Sequence, residues 1–140
     1  MTGLTVDRTM MSSFIDALFR YVDDGTYVSL RAFHDRSKNG SGRSGTWGSW
    51  RAIQVNGSGL GTVVDAAVRF AEECAAAPYP VVFCPPLVTL DSASEAAEEN
   101  VANGPVLSVE CDQAPSAARA FLEGRLGPAT VVVASGGEWV

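Results

Sequence analysis

The sequence predicts an α/β chain, α+β-like in its two-part build. Residues 1–104 form an N-terminal α/β unit, and residues 105–140 begin a second half. Three patterns predict it. Residues 10–22 and 62–76 repeat apolar side chains at helical spacing. The run 27–33 is rich in aromatic and β-branched residues early on, 81–84 is wholly apolar, and 51–55 reads as a short strand between them. Residues 105–137 read strand, helix, strand, and so short a unit predicts a right-handed crossover between parallel strands. With 140 residues, 46% of them hydrophobic and 19% charged, the chain has apolar material for one small core.

Each element has its own signature. Met11, Phe14, Ile15, Leu18, Phe19 and Val22 share one helical face, with Asp7 or Ser12 placed to cap it. Asp23-Asp24-Gly25 ends that helix, Gly25 suiting a left-handed stop. In the run 27–33, Val28, Leu30 and Ala32 alternate with Tyr27, Ser29, Arg31 and Phe33. Arg31 is unusual there, because a guanidinium is expensive to bury without a partner. A place at the sheet edge would relieve it, as would an anion such as Glu110 or a phosphate. Residues 34–50 read as a polar, glycine-rich loop. Trp47 and Trp50 at its end are expected as core anchors, the other option being rings that stack bases beside basic residues.

A strand at 51–55, the turn Asn56-Gly57-Ser58-Gly59-Leu60-Gly61 and a helix over 62–76 follow. That helix has Val64, Ala67, Val68, Ala71, Cys74 and Ala75 on its apolar face. The order imitates a dinucleotide-binding turn but fails in detail. Thr62 stands where the third glycine belongs, and Pro78 and Pro80 stand near the place of the ribose-binding carboxylate. Residues 81–84 read as a buried strand stopped by Pro85-Pro86, and residues 94–102 as a short acidic helix. Residues 105–109 and 130–134 read as buried strands. Between them a helix starts at Ala114 or Pro115, turns Ala117, Ala118, Phe121, Leu122 and Leu126 inward, and closes at Gly127-Pro128.

The net charge of −6 does not advertise nucleic-acid binding, but its distribution is uneven. Residues 31–51 hold Arg31, Arg36, Lys38, Arg43 and Arg51 against Asp35 alone, a balance of +4. Residues 52–140 hold three arginines against eleven carboxylates, a balance of −8. Such asymmetry can set a basic surface against an acidic site. Cys74, Cys84 and Cys111 are far apart and none lies in a Cys-x-x-Cys pair, which argues against a disulfide framework or a zinc site and fits a reducing cytoplasm. No apolar run approaches the roughly 18 residues of a membrane span, and no signal-peptide pattern opens the chain.

The chemistry concentrates at the end of the run 105–109. Glu110 and Asp112, continuing a strand, would point to one face. Carboxylates that close repel unless a cation or proton lies between them, which is the arrangement a hard divalent metal uses. A parallel crossover would bring Ser135-Gly136-Gly137 to the same edge.

An apolar strand ending in Glu110-Cys111-Asp112, a helix, the turn Leu126-Gly127-Pro128 and a run ending in Ser135-Gly136-Gly137 resembles the archaeo-eukaryotic primase superfamily. The closer likeness is to the RepB-like primase-polymerase domain of plasmid and phage replication proteins. Phe14-Ile15-Asp16-Ala17-Leu18-Phe19, Tyr27-Val28-Ser29-Leu30-Arg31 and Val82-Phe83-Cys84-Pro85-Pro86 also look similar. The resemblance implies an N-terminal α/β unit packed on an incomplete RNA-recognition-motif-like half that contains the βαβ unit. It implies template-directed nucleotidyl transfer on single-stranded DNA. Glu110 and Asp112 would hold Mg²⁺ or Mn²⁺, and Ser135, Gly136 and Gly137 would approach the nucleotide triphosphate. Arg31 is a candidate phosphate contact, and Arg36, Lys38 and Arg43 are candidates for holding the template.

The family's second motif continues to a histidine, and a third acidic motif follows. Neither lies before Val140. The resemblance therefore implies a chain inactive alone, and an open apolar sheet edge implies self-association. Two other expectations compete: a non-catalytic α/β module that binds single-stranded nucleic acid or protein, and an unrelated small α/β protein whose Glu110 and Asp112 are solvated.

Overall fold

A computed structural model describes residues 5–34, 45–57, 59–77, 81–84, 87–94, 96–111 and 113–133. For residues 34, 45–49 and 81–84 only the backbone is described. The chain divides into two compact units, Met1–Val106 and Leu107–Val140. The fold is mixed α/β, as the patterning predicts.

The first unit opens with helix α1, Arg8–Phe19. Asp7 caps it by accepting the Met10 N–H at 2.9 Å, the contact a short oxygen-bearing side chain makes best. Ile15, Leu18 and Phe19 are buried, and Met11, Phe14 and Val22 pack partly buried against them. Gly25, at φ +88°, turns the chain into strand β1, Tyr27–His34. Its N–H donates to the Val55 carbonyl at 2.8 Å, fastening the turn to the far end of the next strand.

Strand β2 is Gly45–Gln54. It is longer than the expected 51–55, and its first residues take over part of the stretch read as a loop. The pairing explains this. Tyr27 faces Gln54 and Arg31 faces Trp50, then the register shifts so that Phe33 faces Thr46 and His34 faces Gly45. Between these points β2 carries extra residues at Trp47, Gly48 and Ser49, a bulge that glycine and small polar residues accommodate. Periodicity cannot announce a strand that contains a bulge.

Helix α2, Gly61–Ala75, buries Val63, Val64, Ala66, Ala67, Val68, Phe70 and Cys74. The glycines before it make a turn, with the Gly59 N–H on the Asn56 carbonyl at 2.9 Å and Gly59 at φ +88°. Strands β3 (Val81–Cys84) and β4 (Thr89–Leu90) follow, and both lie along β1. Arg31 to His34 pair antiparallel with Cys84 to Val81, and Tyr27 pairs with Leu90. The two lie along the same strand, and Pro85 and Pro86, which separate them in the sequence, lie outside the described residues. Strand β5, Val101–Asn103, pairs antiparallel with β4. The path is β2-β1-β4-β5 with β3 also on β1, and every pairing among the described residues is antiparallel. The expected acidic helix at 94–102 is only a 3₁₀ turn, Glu98–Asn100, running into β5. Its glutamates are exposed, so no apolar face drives a longer helix.

The core lies on one face of the sheet, where Val28, Leu30 and Ala32, all fully buried, meet residues of both helices. Arg8 of α1 pairs with Asp65 of α2 on the outside. No helix among the described residues is long and apolar enough to cross a membrane.

In the second unit only helix α3, Pro115–Leu126, is regular among the described residues. Proline at its first position and Gly127 at φ +88° bound it as expected. The strands expected at 105–109 and 130–134 are not formed among the described residues. Leu107 is 81% exposed and Val133 68%. The crossover between parallel strands is therefore not formed among the described residues. The face expected to turn inward is exposed too: Phe121 and Leu126 lie open, and α3 has no buried residue. An apolar run becomes a strand only with a neighbour to satisfy its backbone, and these two runs do not pair among the described residues.

Candidate functional site

Glu110 lies in an irregular, exposed segment of the second unit, followed by the half-buried free thiol of Cys111. The expectation that Glu110 extends a strand is thus corrected, since no strand reaches it, and Asp112, expected to share its face, lies outside the described residues. So do Ser135, Gly136 and Gly137. Among the described residues no group of three or more His, Cys, Asp or Glu side chains is placed to hold a metal ion. One exposed carboxylate does not supply the ligand number that Mg²⁺ or Mn²⁺ needs, so the described residues do not fit a divalent-cation site.

Arg31 belongs to the first unit. It sits mid-strand in β1, half-buried, with its guanidinium over the Phe33 ring at 5.4 Å from the centroid. Its neighbours follow from the pleat. Val28, Leu30 and Ala32 face the helices, so Tyr27, Ser29, Arg31 and Phe33 face away. Residues directly opposite in an antiparallel pair share a face, which adds Trp50, Ala52 and Gln54 from β2. Trp50 is 40% exposed, so the expectation that it anchors the core is corrected: its register puts it on the sheet face opposite α1 and α2. The side chain of Trp47 lies outside the described residues. Tyr27 and Phe33 are half-buried on the same face. Their alternation with Val28, Leu30 and Ala32 was the signal that could have marked them as site residues.

Arg51 takes the other face. It stands opposite Leu30 and lays its guanidinium over the buried Phe70 ring at 4.5 Å, while Nη2 donates to Glu73 at 2.6 Å. One of the five cations in residues 31–51 therefore ties β2 to α2. Arg36, Lys38 and Arg43 lie outside the described residues, in the connection between His34 and Gly45.

Polar groups elsewhere explain themselves locally. The Arg119 guanidinium, with help from the Ala129 N–H, holds the Glu123 carboxyl below the usual carboxylate range. Arg8 does the same to Asp65. Burial pushes the Cys74 thiol up, which disfavours its thiolate. The Ser29 and Thr89 hydroxyls are fully buried and have no hydrogen-bond partner among the described residues. Comparison with protein-family models, with curated proteins and with solved structures finds no match to this chain.

Proposed function

We propose that the chain carries the first catalytic motif of a primase-polymerase-type nucleotidyltransferase and works on a single-stranded DNA template. One observation carries this reading. The order Glu110-x-Asp112, helix, Leu126-Gly127-Pro128, apolar run, Ser135-Gly136-Gly137 stands in the sequence, and α3 spans the interval that the order requires to be helical. Glu110 and Asp112 would be the carboxylates for Mg²⁺ or Mn²⁺ once a further ligand joins them. Ser135, Gly136 and Gly137 would meet the nucleotide, Arg31 a phosphate, and Arg36, Lys38 and Arg43 the template.

A second reading is favoured by the exposed, unpaired runs at 107–109 and 131–133. In it the chain acts by itself as a non-catalytic binding module. Incorporation of labelled nucleotide on an unprimed single-stranded template with Mn²⁺ separates the two. Product that disappears in Glu110→Ala and in Asp112→Ala supports the first. Product that survives both substitutions removes the metal-binding role of these carboxylates. No product from the unaltered chain accords with its being inactive alone; Mn²⁺ binding that is lost in Glu110→Ala and in Asp112→Ala then supports the first reading, and single-strand binding with no Mn²⁺ bound supports the second.

A further inference from the structure

We infer that the outward face of α3 is a dimer interface, on which a second copy of this chain packs its own α3 antiparallel about a two-fold axis. The inference stands apart from the function proposed above, which needs no second copy. Ala117, Ala120, Phe121 and Gly124 follow at i, i+3, i+4 and i+7, so they share one helix face, and all four are exposed. The half-buried Pro115, Ala118 and Leu122 hold the opposite side. A helix face turned to water ordinarily carries charge. This one carries none. Arg119 and Glu123 pair with each other to one side of it, and Arg125 lies against the Phe121 ring from the other. Phe121 is 62% exposed even so. Glycine is unfavourable inside a helix, yet among the described residues nothing lies within 4 Å of the place a Gly124 Cβ would take. Among those residues, then, no contact requires that position to be small.

The shape of the face identifies its occupant. It carries one large ring and a hollow of small residues, so it complements a copy of itself, as a two-fold interface must. With the axis passing between Ala120 and Phe121, the ring of each copy sits over Ala120 of the other, and Ala117 and Gly124 leave room on either side. Small residues at the contact let two helices approach closely. The antiparallel arrangement opposes the two helix dipoles and leaves the two Arg125 side chains about 13 Å apart along the axis, so like charges do not meet. It also brings the run 107–109 before one helix to the end from which the run 131–133 leaves the other. The exposed parts of Leu107, Val109, Phe121, Leu126 and Val131 to Val133 come to roughly 700 Å² per copy. A standard interface buries about 800 Å² per partner, so the helix and its two flanking runs together suffice for a dimer.

The experiment is sedimentation equilibrium over a range of protein concentrations. The unaltered chain is expected to pass from one copy to two and to stop there. Ala120→Glu and Ala120→Lys each set like charges against one another beside the axis, and each alone is expected to weaken dimerisation on the order of a hundred-fold. Mixed in equal amounts, the two variants are expected to recover it, because opposite charges then meet. Glutamate and lysine both suit a helix, and circular dichroism of each variant checks that the fold is kept. Met10→Glu, on an exposed position of α1, is expected to leave the mass unchanged.

A single copy at every concentration overturns the second copy as occupant. Association that continues past two copies overturns the two-fold. A dimer that both Ala120 variants retain lies on another surface, and variants that pair no better mixed than alone do not meet at an axis through α3; either result overturns the inference. Nucleotide incorporation judges the proposed function separately.

Discussion

Ser29 and Phe70 are both fully buried, yet they do opposite things for stability. Phe70 fills the space between α2 and the sheet and supports the Arg51 guanidinium on its ring. Ser29 carries a hydroxyl that has left water without a partner among the described residues. Phe70→Ala should lower the unfolding free energy by about 3–5 kcal/mol, since it leaves a cavity as well as losing burial. Ser29→Ala should be neutral, or stabilising by up to about 1 kcal/mol, because it removes a desolvated polar group. Urea denaturation of the two variants beside the unaltered chain checks both. A Ser29→Ala loss comparable with that of Phe70→Ala would mean that the hydroxyl has a partner after all. Alternation puts Ser29 on the face of β1 turned from the helices, with Arg31 and Phe33, so that face is covered at Ser29 and half-buried beside it.

At the scale of elements, α3 shows how a helix can be bounded by local chemistry without a buried face. Proline starts it, Gly127 stops it, and Glu123 closes its last turn by accepting from Arg119 at 3.0 Å and from the Ala129 N–H at 3.2 Å. Arg125 lies over the Phe121 ring at 4.8 Å and covers part of it. These contacts hold the Glu123 carboxyl below its usual range, the Arg119 hydrogen bond most of all. A depressed carboxyl contributes stability that is fully present above its unfolded value of about 4.3 and is lost as pH falls through the folded value. The Ala129 amide shift should therefore titrate with a midpoint below about 4.3. In Glu123→Gln that titration should vanish. A midpoint at or above the ordinary value would show that the carboxylate is not held as described.

For the whole molecule, the two units differ in what they bury. The first closes a core between two helices and one sheet face. The second leaves Leu107, Val109, Phe121, Leu126 and Val131 to Val133 exposed. That much apolar surface favours association over solvation. Light scattering after size exclusion should give a mass that rises with protein concentration. Leu107→Lys with Val132→Lys should return it toward the monomer. A concentration-independent monomer from the unaltered chain would rule self-association out.

Much of this molecule is legible in its sequence, and the legible part is local. The starts of α1 and α3 follow from Asp7 and Pro115, the end of α3 from Gly127 and the extent of α2 from helical spacing, because a helix bonds within its own segment, whereas α1 ends at Phe19, short of the stop expected at Asp23-Asp24-Gly25. The alternation in β1 already separates Val28, Leu30 and Ala32 from Tyr27, Ser29, Arg31 and Phe33. Only the tertiary structure decides which strands meet. It places β3 and β4 in line along β1 and bulges β2 around Gly48. It turns Arg51 inward to Phe70 and Trp50 outward beside Arg31, and among the described residues it leaves 105–109 and 130–133 unpaired. A strand completes its hydrogen bonds on another part of the chain, so its existence depends on a neighbour that no local pattern names.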